Sequence, residues 1–168
     1  ESPFGDMKYC FAPSLVCPNK DVKFYLFTSK TRTQYELSFS EQTTEQILDA
    51  PFLVDKPLKI LLPGAQGTLT SDANPLLLIP AYLNSSELNL LFVDYSKYSD
   101  VTFCPLIYTT HLAECIAKVL LNIYKYFQMF KPENTHIVGG SMGSLVSSHV
   151  GSHFNGSIYR ITALDPSE

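Results

Sequence analysis

A chain of 168 residues that is 45% hydrophobic and 17% charged has enough apolar material for a buried core and too little charge for a disordered polyelectrolyte. A net charge of −4 with no run of Lys or Arg excludes the basic footprint by which proteins hold nucleic acid. Membrane spanning is excluded by length, because the longest apolar runs, near Leu76–Ile79 and Leu88–Val93, are broken by Pro or polar residues.

The opening residues Glu1-Ser2-Pro3-Phe4-Gly5-Asp6 lack the pattern of a signal peptide, so a secreted protein would carry them as a processed start. Residues 1–20 hold Cys10, Cys17 and three prolines and read as an irregular leader tied down by disulfides. Val22–Thr28 is rich in β-formers and reads as a strand, and weak alternation at Tyr35, Leu37 and Phe39 suggests an edge strand within the polar stretch 29–50. Leu58–Leu62 is a third strand, running into Pro63-Gly64-Ala65-Gln66-Gly67, a loop that suits backbone donors and equally an ordinary turn. Residues 72–83 carry leucines and two prolines and predict a short, interrupted helix.

Leu88–Tyr95 is almost continuously apolar, as expected of a central parallel strand covered on both faces. From Thr109 to Phe130, apolar residues recur at steps of three and four, which predicts an amphipathic helix stopped by Lys131-Pro132. Its aromatics Tyr124, Phe127 and Phe130 read as core. Thr135–Val138 then predicts a buried strand, Ser144–Val150 a helix, and Ile158–Leu164 a last strand ending in Asp165-Pro166. Alternating strands and helices imply an α/β fold: one mainly parallel sheet with helices on both faces, in a single domain over 1–168.

Between the last two of these elements lies Gly139-Gly140-Ser141-Met142-Gly143. A serine with glycines two residues to either side, between a strand and a helix, has the pattern of a nucleophile elbow. The turn lifts the hydroxyl off the sheet edge, Gly139 and Gly143 leave room for the backbones to pass, and the helix start offers N–H groups to a developing oxyanion. Asp165 follows the next strand and so stands at the same sheet edge, in position to orient a base; an aspartate before proline is also a common turn residue. The base itself is missing: His111, His136, His149 and His153 all precede Asp165, and each reads as a surface or packing residue. No pattern calls for a metal or a cofactor.

Cys10, Cys17, Cys104 and Cys115 form an even set without metal-type spacing and read as two disulfides. Asn84-Ser85-Ser86 and Asn155-Gly156-Ser157 are acceptors for N-glycosylation, and with the cysteines they point to an extracellular protein.

The stretches Leu91-Phe92-Val93-Asp94-Tyr95, His136 to Gly143 and Gly156 to Pro166 together resemble the secreted neutral lipase family, which includes pancreatic lipase, lipoprotein lipase, phospholipases A1 and insect yolk proteins. The separation of Ser141 and Asp165, 24 residues, is the family's own. Cys17-Pro18 and Asp21–Thr28 are similar to the insect branch, so the likeness runs from about Cys17 to the end.

The resemblance implies an α/β-hydrolase fold cut after the acid strand, with Ser141 as nucleophile, Asp165 as acid and the histidine beyond Glu168. It implies backbone donors at Ala65 and Met142 for the oxyanion, although Pro63 and Ala65 stand where the family has histidine and an aromatic. It implies a lipid ester substrate met at a lipid–water interface, split by a triacylglycerol lipase or phospholipase A1; a non-catalytic lipid-binding or yolk protein is the alternative. In the insect branch the cysteines aligned with Cys17 and Cys104 pair, which leaves Cys10 with Cys115. Pairing of sequence neighbours, Cys10–Cys17 and Cys104–Cys115, stands beside it.

Overall fold

The computed structural model describes residues 16–37, 47–70, 73–99 and 105–166. Most of the leader, Phe39, Cys10 and Cys104 lie outside them; residues 16–22 form turns and bends.

Six strands build one sheet: β1 (Lys23–Thr28), β2 (Tyr35–Leu37), β3 (Leu58–Leu62), β4 (Asn89–Asp94), β5 (Thr135–Gly140) and β6 (Arg160–Leu164). Their spatial order is β2-β1-β4-β3-β5-β6. β4, β3, β5 and β6 run parallel, whereas β1 pairs antiparallel with β4, and β2 with β1. This is the α/β-hydrolase arrangement expected from the sequence. The continuous apolar run of β4 is explained by its position, since Leu90, Leu91, Phe92 and Val93 are all fully buried.

Among the described residues the helices include α1 (Ala73–Ser85), the single turn α2 (Ser96–Ser99), α3 (Thr109–Tyr126) and α4 (Met142–His153). Strand residues two apart share a face. Leu26, Ile60, Leu62, Leu91, Val93 and Ile137 point to the face that packs against α3 and α4. Phe27, Leu61, Leu90, Phe92 and Val138 point to the opposite face, beneath Ile79 and Leu83 of α1.

Three helices differ from the expectation. The interruption expected in 72–83 does not occur: α1 is continuous with Pro80 inside it. Pro80 lies on the exposed side, where water can satisfy the carbonyl that loses its bond. α3 stops at Tyr126 rather than Phe130, because Phe127 leaves helical geometry. That departure brings Phe127 and Phe130 onto the ring of Phe52, at centroid distances of 4.8 and 5.5 Å. α4 starts at Met142, immediately after the candidate serine, and not two residues later.

Both cysteine pairings expected from the sequence are corrected. Cys17 is bonded to Cys115, with Cα atoms 5.2 Å apart across a sequence separation of 98. Cys115 lies on the inner face of α3, and the turns ahead of β1 carry Cys17 over it. Spacing along the chain could not reveal that proximity.

Candidate active site

Ser141 occupies the junction of β5 and α4 with φ 48° and ψ −120°, a conformation disfavoured for any residue with a Cβ. It persists because its neighbours over-determine it. The Ser141 N–H donates to the Leu164 carbonyl at 2.8 Å, and the Ser144 N–H donates to the Ser141 carbonyl at 2.9 Å. The Ser144 hydroxyl reaches back to the Gly139 carbonyl at 3.0 Å, closing the turn from inside. A Cβ on Gly139 would stand 2.2 Å from the Gly143 carbonyl oxygen, and one on Gly143 would stand 2.3 Å from that of Leu62. Both glycines are there because backbone passes where a side chain would be.

Asp165 follows β6 with φ 46° and is exposed. Gly140 and Leu164 are register partners, so Ser141 and Asp165 each lie one residue beyond a paired position, on adjacent strands. With strands about 4.8 Å apart, the two residues are neighbours at the C-terminal edge of the sheet.

The loop after β3 comes to the same edge. A Cβ built on Gly64 would be 3.3 Å from the Ser141 Cβ and 3.9 Å from its Oγ, so the Gly64 backbone lies against the serine. Two side chains shape this loop. The buried Tyr95 hydroxyl donates a short hydrogen bond to the Pro63 carbonyl, and the Ser99 hydroxyl accepts the Gln66 N–H at 2.9 Å. A turn bond from the Gly67 N–H to the Gly64 carbonyl, 3.2 Å, completes it. Ala65 follows Gly64 in this loop and Met142 opens α4 directly after the serine, and neither backbone N–H donates to a backbone partner among the described residues. Sequence reasoning missed Tyr95 and Ser99 as supports; an aromatic hydroxyl ending an apolar strand was the available signal.

None of the four histidines is hydrogen-bonded to Ser141 or Asp165 among the described residues. His149 and His153 lie about 12 and 18 Å along α4 from the serine, at 1.5 Å per residue. His136 stands near the start of β5, about 16 Å down the strand. There its Nδ1 meets the Lys59 ammonium at 2.5 Å and its Nε2 meets the Thr162 hydroxyl at 2.9 Å. Burial, then the positive charges of Lys59 and Arg160, lowers its pKa to about 4. Among the described residues no three His, Cys, Asp or Glu side chains are grouped as a metal would require, and no helix is long and apolar enough to cross a membrane.

A strained serine between glycines, a loop backbone pressed against it and an aspartate on the next strand define the site, and a family model described as Lipase matches residues 12–168. The chain belongs to the Lipase family. Among curated relatives it is similar to pancreatic lipase-related protein 2 of Mus musculus, 24% identical over 88% of this chain and 30% of that protein. It is similar to pancreatic triacylglycerol lipase of Myocastor coypus, 25% identical over 88% of this chain and 32% of that protein. The Oryctolagus cuniculus triacylglycerol lipase is 25% identical over the whole chain and 34% of its own length. The chain thus spans about a third of the length of the curated relatives it matches. Among solved structures, an α/β-hydrolase enzyme from a Medee basin deep-sea metagenome library superposes with a TM-score of 0.37 and 16% identity over 78% of this chain and 46% of that one. So loose a superposition adds nothing to the strand order.

Proposed function

We propose that this lipase-family chain contributes the nucleophile half of a secreted serine carboxylic-ester hydrolase acting on lipids, a triacylglycerol lipase or phospholipase A1. The observation that carries the reading is the strained backbone of Ser141 at a helix start with the Gly64 loop against it. Evolution keeps such strain where a hydroxyl must be presented. In this reading Ser141 Oγ attacks the ester carbonyl while a histidine from outside these 168 residues takes its proton. The N–H groups of Ala65 and Met142 hold the oxyanion, and Asp165 orients the imidazolium. The alcohol leaves with the histidine's proton, and water then hydrolyses the acyl-enzyme. The Cys17–Cys115 disulfide and the exposed glycosylation acceptors Asn84 and Asn155 support an extracellular setting.

One observation favours a second reading, a lipid-binding or storage protein without catalysis: Pro63 and Ala65 stand in the loop beside Ser141 where the resemblance implies a histidine and an aromatic. The test is covalent labelling of the full-length protein with a fluorophosphonate ester, beside Ser141→Ala. Labelling that disappears in the variant supports the enzyme, because only an activated serine reacts. Absence of labelling in folded protein leaves the binding reading in possession.

A further inference from the structure

A row of basic side chains crosses three adjacent strands on the sheet face that carries α1. Lys59 of β3 is the register partner of His136 on β5, which is the partner of Arg160 on β6. All three share the face of Leu61 and Val138, and Thr162 shares it one row on. Hydrogen-bonding roles follow from the donors. An ammonium can only donate, so His136 Nδ1 accepts from Lys59 at 2.5 Å. Nε2 then carries the ring proton and donates it to the Thr162 hydroxyl at 2.9 Å, leaving that hydroxyl's own proton free to give. The imidazole is therefore neutral, and the charge of the row belongs to Lys59 and Arg160.

Among the described residues those two charges lack a counter-charge: no carboxylate forms an ion pair with either. The Lys59 ammonium instead lies 4.5 Å from the centroid of the Tyr82 ring of α1. It is half-buried, and desolvation, followed by repulsion from Arg160, holds its pKa below the usual lysine value. A half-buried ammonium facing a second positive charge is costly unless an anion joins them. Arg160 is exposed, so the row is open to solvent at the β6 side.

We propose that Lys59, Arg160 and Thr162, seated on the neutral His136 ring, form a binding site for a doubly charged phosphate group. Two strand spacings put the Lys59 and Arg160 backbones about 10 Å apart, a gap that both side chains are long enough to bridge to one tetrahedral anion. A dianion neutralises both cations, whereas a single carboxylate leaves one charge over. The row begins about 16 Å from Ser141 along β5, so this site is separate from the candidate active site and does not depend on its chemistry. The phosphate comes either from solution or from a phosphomonoester headgroup on a lipid surface.

The test titrates inorganic phosphate into the full chain at constant ionic strength and follows the His136 ring signals by NMR. The expected result is a saturable shift with a dissociation constant of about 1 mM, weakened about tenfold or more in Lys59→Met and in Arg160→Gln. Arg160→Gln changes an exposed residue and keeps the comparison valid if Lys59→Met does not fold. Vesicles of phosphatidylcholine with and without phosphatidic acid separate the sources. Retention on the acidic vesicles alone, lost in Arg160→Gln, points to a headgroup, and phosphate binding without retention points to free phosphate. No saturable shift, or one that both variants share, overturns the proposal.

Discussion

At the scale of single residues, the elbow rests on absence of side chains where backbones cross. On Gly143 a Cβ would meet the carbonyl oxygens of Leu62 and Pro63 at 2.3 and 2.6 Å, and neither can retreat without moving β3 or the loop beside Ser141. Gly143→Ala is expected to cost about 3 kcal/mol or more in urea unfolding. Gly156→Ala serves as the contrast. Gly156 has φ 74° with nothing within 4 Å of its Cβ position, so only the backbone penalty of about 1 kcal/mol applies. His136 supplies a pH prediction. Its pKa falls from 6.5 to about 4 on folding, so the unfolded chain takes up the proton first as the pH drops. The stability it contributes is complete above about pH 6.5 and is lost between 6.5 and about 4. Because the ring is only half-buried, solvent screening reduces the effect to about 1 kcal/mol. Urea unfolding of the protein and of His136→Gln at either end of that window should show the wild-type slope flattened in the variant; equal slopes would exclude the role.

At the scale of elements, positions that look anomalous in a pattern prove to be joints. Asn89 opens the otherwise apolar β4 and is fully buried. Its side chain accepts the Leu53 N–H at 2.7 Å and donates to the Leu53 and Lys56 carbonyls at 2.8 and 3.1 Å, fastening the segment that leads into β3. Phe127 ends α3 for the sake of an aromatic cluster with Phe52 and Phe130, since ring burial outweighs one more turn of helix. The disulfide is a joint of the same kind, tying the turns before β1 to the inner face of α3. Closing a loop of 98 residues removes much of the unfolded chain's freedom. The double variant Cys17→Ala/Cys115→Ala should lose about 4 kcal/mol by chemical denaturation, most of it through the unfolded state. A loss below about 1 kcal/mol would mean that the surrounding packing already holds these elements together.

At the scale of the whole molecule, burial falls off across the sheet. Leu90, Leu91, Phe92 and Val93 of β4 have no exposed surface, whereas no residue of β6 is buried. Among the described residues β6 pairs with β5 alone, and its surroundings include Tyr159, Ile161 and Leu164, exposed by 71, 39 and 38%. A strand with one open edge and little cover opens at low cost. Hydrogen exchange on the 168-residue chain should therefore show the amides of β6 exchanging first among the strands, with those of β3 and β4 surviving until global unfolding. Equal protection of β6 and β4 would show that something covers the last strand.

How much was legible in the sequence depended on the range of the interaction. Period and punctuation fixed the alternation of strands and helices, the elbow at Ser141 and the placing of Asp165 one strand on, because those signals arise within a few residues of chain. The continuity of α1 and the end of α3 were misread where a local rule yielded to context: Pro80 sits on the exposed side of an unbroken helix, and Phe127 leaves α3 to pack on Phe52. The partner of Cys17, the network joining Lys59 to His136 across 77 residues, and the grip of Tyr95 on the loop after β3 were not legible at all. Each joins segments whose proximity exists only once the sheet has formed. By itself the sequence determined which side chains could do chemistry and on which elements they ride. The tertiary structure decided which of them meet, because strand order and register, set by burial of the two sheet faces together, choose the neighbours.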